Sequence, residues 1–158
     1  MSALNEPPAA APDPLHAVFR PRRGRKMAIM FGVAAFAVFL VIAVLAPMGP
    51  GLHLFDRLGV AAVGAAIGAL LWRFARLAVV VDVRGLTVRN LIYERRLEWA
   101  EVVTVRFGGG HPWVMLDLAD GESLPVMAIQ RADGPFGESE AQRLATLVAL
   151  HSATDRDD

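Results

Sequence analysis

The chain has 158 residues, 54% of them hydrophobic, and its 16 basic and 16 acidic side chains balance. That leaves room for one modest domain plus membrane segments, and it is more apolar than a soluble globule of this size requires. No cysteine is present, which excludes disulfides and thiolate metal sites.

Residues 1–26 carry five prolines and several alanines before Arg22. Such a segment offers little surface to bury against the entropy of ordering, so it reads as a disordered tail on the cytosolic side. It ends in a basic run, Arg20, Arg22, Arg23, Arg25 and Lys26. A run of this kind suits anionic lipid or nucleic acid. It also holds its end of a membrane protein in the cytosol, which is the reading we favour.

Met27 to Met48, MAIMFGVAAFAVFLVIAVLAPM, has no charge. As a helix at ~1.5 Å per residue it is ~33 Å long, enough to cross a bilayer core. A secretory signal peptide competes with this reading, but the run is too long for the usual apolar region of one, and Val44-Leu45-Ala46 followed by Pro47 is a poor cleavage site. Residues 49–57, rich in Gly and Pro, predict a short extracytoplasmic loop.

A second apolar run, Leu58 to Trp72, extends to Ala75. It is a marginal span, helped by Arg57 and Arg73 reaching the two interfaces and by Trp72 at belt height. Gly64 and Gly68 are four apart, as are Ala28 and Gly32 in the first run. Small residues at that spacing let helices pack closely in lipid. Packing within the chain is favoured, and a homodimer through Gly64 and Gly68 is the alternative. Basic residues flank the pair on its outer sides, with Arg73, Arg76 and Arg84 after the second run. That bias puts both termini in the cytosol and the chain in the inner membrane as a two-span protein. A single span over Leu58 to Val81 would bury Arg73 and Arg76 in lipid at ~2.5–3.5 kcal/mol each and is rejected.

From residue 76 the pattern becomes strand-like. Leu77 to Val83 is valine-rich. Leu86, Val88 and Ile92 continue after the Arg84-Gly85 turn, and a short segment opens at Leu97. Val103, Val105 and Phe107 alternate with Val102, Thr104 and Arg106 up to the Gly108–Gly110 break, followed by Val114, Leu116 and Leu118. Asp120-Gly121 predicts a type I′ hairpin into Leu124, Val126 and Ala128. The period then turns helical, with Ala141, Leu144, Leu147, Val148 and His151 on one face and Ser139 with Gln142 as a capping box. Residues 76–151 are thus a small antiparallel β domain, a bent sheet or partial barrel, capped by a C-terminal helix, with 152–158 a polar tail. Trp99, Phe107 and Trp113 are the expected packing centres.

Three strings, RGLTVRN (Arg84 to Asn90), LEWAEVVTVRF (Leu97 to Phe107) and DGESLPVMAIQRADG (Asp120 to Gly134), resemble the bacterial pleckstrin-homology-like (PH-like) family named for low molecular weight protein antigen six. The resemblance covers roughly residues 20 to 150. It implies two membrane helices followed by a PH-like fold. It brings no catalytic residue, and no licence to assume phosphoinositide binding.

No catalytic, cofactor or metal site is expected. His16, His53, His111 and His151 are scattered along the chain, no serine sits in a nucleophile elbow, and Gly108–Gly110 lacks the Lys and Ser/Thr of a phosphate loop. Glu94, Glu98 and Glu101 read as solvated partners of Arg95 and Arg96. The expected function is a non-catalytic, membrane-tethered PH-like scaffold that presents its domain to an unidentified protein partner, with no nucleic acid involved. The alternative is a sensor of anionic membrane surface through Arg89, Arg95, Arg96 and Arg106.

Overall fold

The computed structural model describes residues 14–45 and 54–154. Two helices, α1 (Arg23–Leu45) and α2 (Leu54–Ala75), are each long and apolar enough to cross a membrane. They form an antiparallel hairpin in which Gly64 abuts the Cβ of Phe39, and a side chain added at Gly32 would meet the Leu71 Cβ at 3.2 Å. Gly32, Gly64 and Gly68 therefore pack within the chain, as small residues permit in lipid. The second helix is longer than its apolar run because Asp56 and Arg57 do not interrupt it. Asp56 lies in the first turn, where a carboxylate favours the helix dipole. Of the predicted loop 49–57, Leu54 to Arg57 are thus helical, and the rest lies outside the described residues.

Six strands follow: β1 (Ala78–Asp82), β2 (Gly85–Arg89), β3 (Glu94–Glu98), β4 (Val102–Arg106), β5 (Trp113–Leu118) and β6 (Ser123–Gln130). They make two three-stranded antiparallel sheets, β1-β2-β3 and β4-β5-β6, not closed into a barrel. The terminal helix α3 is Pro135–Thr154. The core lies between the sheets and α3, where Val79, Leu86, Val88, Leu97, Val114, Leu116, Val126, Leu144 and Leu147 have almost no exposed surface. Each such side chain contributes about 1.5–3 kcal/mol of burial.

Asn90 fastens one sheet to the other. Its side chain, 9% exposed, donates from Nδ2 to the Pro125 carbonyl at 2.7 Å and accepts at Oδ1 from the Met127 N–H at 3.2 Å. Its own N–H closes the β2–β3 turn on the Tyr93 carbonyl at 2.9 Å. Ile92, expected to continue the β2 alternation, is therefore in that turn and 83% exposed.

The segment before α1 departs most from expectation. Residues 14–26, read as disordered, form a short 3₁₀ turn (Pro14–His16), an antiparallel bridge and the first turn of α1. Phe19 exchanges backbone hydrogen bonds with Val79 at 2.9 and 3.0 Å and is 0% exposed. One aromatic ring with a strand edge to pair with offsets the proline-rich composition around it. This segment also joins α1 to the domain. Asp133 accepts the Arg22 and Arg23 N–H groups at 3.1 and 2.9 Å, capping α1 from more than a hundred residues away.

Three local expectations are corrected. The β5–β6 turn is not type I′, because Asp120 keeps a negative φ and only Gly121 is positive, at 85°. The Gly121 N–H bonds to the Leu118 carbonyl and Leu118 N–H to Glu122, a three-residue loop of type I turn plus bulge. Ser139 does not cap α3. The helix begins at Pro135, whose missing N–H suits the first position, and the Ser139 hydroxyl donates to the Phe136 carbonyl. Of the three expected packing centres, Trp99 is buried and Phe107 partly so, while Trp113 is half-buried at the start of β5.

Candidate functional site

The four arginines singled out on the β domain each engage a carboxylate. Arg89 pairs with Glu94 at 2.9 Å across β2 and β3. Arg95 reaches the β5–β6 turn, binding Glu122 at 2.6 Å and Asp120 at 3.4 Å. Arg96 binds Asp82 at 3.2 Å, and Arg106 binds Asp117 at 2.7 Å. Arg95 and Arg96 are consecutive on β3, so their side chains leave opposite faces of the sheet. The structure therefore divides the set between faces, and each positive charge has its counter-charge beside it, which cancels much of the outward field. Such exposed pairs contribute little to stability, because solvent screens them.

The pairs do set local protonation. Asp82 accepts the Arg84 N–H at 2.8 Å and the Gly85 N–H at 3.1 Å, which, with Arg96 nearby, hold its carboxyl below the ordinary carboxylate range. Asp117 is lowered by the Ser123 hydroxyl at 2.7 Å and by Arg106. The Arg95 guanidinium is raised by its bond to Glu122.

The glutamates expected to partner Arg95 and Arg96 do otherwise. Glu94 belongs to Arg89, and the Glu101 carboxylate accepts the Glu98 N–H at 2.6 Å, holding the 3₁₀ turn Trp99–Glu101. Two histidines distant in sequence do meet: His151 stacks on Trp99 with ring centroids 4.2 Å apart, and His16 stands edge-on to it at 6.2 Å. Their contacts close the end of α3 over the core. Among the described residues no three His, Asp or Glu side chains converge as metal ligands.

What the surface offers is a strand edge. β4 pairs with β5 on one side only, and α3 packs beside it. A bulge between Val102 and Thr104 turns Val103 outward, leaving it 62% exposed on a strand whose Thr104 and Arg106 are exposed as well. This overrides the alternation expected for Val103, Val105 and Phe107. Beyond the strand, Gly108, Gly109 and Gly110 all take positive φ, at 119°, 62° and 89°, and form a hairpin loop. That loop, with Phe107, Arg131, Gly134 and Glu138, borders a shallow depression of about 490 Å³ between the end of β4 and the start of α3. Unpaired backbone groups beside a helix are what an extended peptide pairs with. Which strands end up at sheet edges is not legible in local pattern, since that depends on how the two sheets form and meet.

A family model described as a bacterial PH domain matches residues 76–146. Uncharacterized protein Rv1417 of Mycobacterium tuberculosis and Uncharacterized protein Mb1452 of Mycobacterium bovis are each 37% identical to this chain over 146 residues, covering 90% of it and 94% of their own length. No solved structure matches. A match of that extent takes in the helical hairpin as well as the β domain, and together with the fold it shows that the chain belongs to the bacterial PH domain family.

Proposed function

We propose that this chain is a non-catalytic binding module, a two-helix anchor that holds a PH-like domain at the cytosolic face of the inner membrane and offers the β4 edge to an extended segment of a protein partner. The observation that carries the reading is the one-sided pairing of β4 beside α3, with Val103 turned out at its bulge. Backbone pairing along such an edge supplies affinity, and the neighbouring helix supplies selectivity. Basic residues before the first apolar run and after the second, against Arg57 alone between the two runs, support cytosolic termini. The alternative, sensing of anionic surface through Arg89, Arg95, Arg96 and Arg106, has less support because each is matched by a carboxylate. Likewise, a homodimer through Gly64 and Gly68 has less support because α1 occupies that face.

The test is a photoreactive residue placed at Val103 of the full-length protein in its native membrane. It is expected to yield one discrete protein adduct that is absent when the same group replaces Val83, an 82% exposed position on the β1–β2 turn. Equal labelling from both positions, or none from Val103, refutes the edge as a docking site.

A further inference from the structure

A cluster of basic residues lies where the chain enters α1. Arg20, Arg22, Arg23, Arg25, Lys26 and Arg143 line a cleft of about 940 Å³ bounded by the segment before α1, its first turn and α3. Among the described residues the cleft is lined by one carboxylate, Glu140, and Arg143 holds it at 2.6 Å. Among the described residues no carboxylate side chain pairs with Arg20, Arg22, Arg23, Arg25 or Lys26, in contrast to the arginines of the sheets. The cleft is built rather than loose. Asp133 fixes the backbone at Arg22 and Arg23, the Arg22 guanidinium lies 3.8 Å above the Phe136 ring, and Arg143 lies 3.7 Å above Phe19 while donating to the Leu15 and Ala17 carbonyls.

Below it runs an apolar groove of about 350 Å³ between α1 and α2, lined by Gly32 and Phe36 on one side and Gly68, Ala69 and Trp72 on the other. Ile29 borders both cleft and groove, so the two adjoin at that side chain. Lys26 is the last charge before the apolar run, which sets the cleft at headgroup depth and the groove in the hydrocarbon. From Ile29 to Phe36 the groove follows α1 for ~10 Å.

We propose that cleft and groove together hold one anionic glycerophospholipid, its phosphate among Arg20, Arg23, Arg25 and Lys26 and one acyl chain along the groove. Guanidinium forks match phosphate oxygens, and the groove matches hydrocarbon. A free anion or a nucleic acid would use the cleft and leave the groove empty. This site is separate from the β4 edge and does not depend on which way the termini face.

The test uses full-length protein in neutral detergent, titrated with phosphatidylglycerol or with phosphatidylcholine of the same chains, and bound lipid is counted by native mass spectrometry. One phosphatidylglycerol per chain is expected, bound at least tenfold tighter than phosphatidylcholine. Binding falls at least tenfold in the triple variant Arg20→Gln, Arg23→Gln, Arg25→Gln and is unchanged in Arg96→Gln. A second measurement needs no change to the cleft. In vesicles containing a fixed small fraction of brominated lipid, phosphatidylglycerol brominated on its chain quenches Trp72 more than the matching phosphatidylcholine, and the difference vanishes in Trp72→Phe. Equal affinity for the two lipids, or equal quenching by them, overturns the proposal. Displacement of the lipid by an equimolar amount of inorganic phosphate would also overturn it, by reassigning the cleft to a free anion.

Discussion

Phe19→Ala removes the ring that ties the entry of α1 to the β domain. The ring is 0% exposed, Arg143 stacks on it at 3.7 Å, and the backbone on either side of it bridges to Val79. Truncating a core phenylalanine costs about 3–5 kcal/mol, and the lost guanidinium–ring contact lies within that figure. Against a total stability of about 5–15 kcal/mol, this is a large share. In a domain of this size it lowers the thermal midpoint by ~12 °C or more. Hydrogen exchange on the full-length protein in detergent reads the effect locally. The Val79 amide, which donates to the Phe19 carbonyl at 3.0 Å, is expected to lose protection by a factor of roughly 100 or more, since each ~1.4 kcal/mol is tenfold. A midpoint shift below ~3 °C with Val79 protection intact would mean that the segment before α1 is not part of the core, and the reasoning would fail.

Asp133→Ala strips the cap from α1 and is expected to cost about 1–2 kcal/mol, while Asp133→Asn, which keeps an acceptor, costs less; thermal melts of the two variants should separate. Asn90→Ala leaves the Pro125 carbonyl and Met127 N–H without their partner, at about 1–3 kcal/mol each, and increased amide exchange at Met127 reports it. Gly64→Ala drives a Cβ into that of Phe39 and is expected to destabilise the helical hairpin by about 1–3 kcal/mol; an unchanged loss of helical circular dichroism on heating would contradict the intrachain packing. The carboxyls of Asp82 and Asp117 are lowered on folding, so their stabilisation is complete above the unfolded value of about 3.9 and disappears as pH falls through the lower folded values. Melting between pH 6 and pH 2.5 should show less acid sensitivity in the pair of variants Asp82→Asn and Asp117→Asn than in the parent, and identical curves would exclude this contribution.

The two apolar runs, the valine-rich alternation after Arg76 and the helical face of Leu144, Leu147 and Val148 were legible in the chain itself. Hydrophobic periodicity is a local property, set by which side chains must leave water, and it survives whatever the elements later pack against. Turn chemistry was legible only in part. Asp120-Gly121 marked a hairpin, but the geometry at Leu118 chose a three-residue loop over type I′.

The tertiary structure alone decided which charges remain available. Arg89, Arg95, Arg96 and Arg106 look like a basic face until folding brings Glu94, Glu122, Asp82 and Asp117 beside them. The run from Arg20 to Lys26 looks like a disordered topology signal until Phe19 docks on Val79 and Asp133 caps α1. Glu94 aside, which faces Arg89 across a tight turn, the deciding partners are distant in sequence, and short-range pattern carries no information about them. Coulomb and hydrogen-bond energies depend on separation in space, and only the packed chain sets that separation.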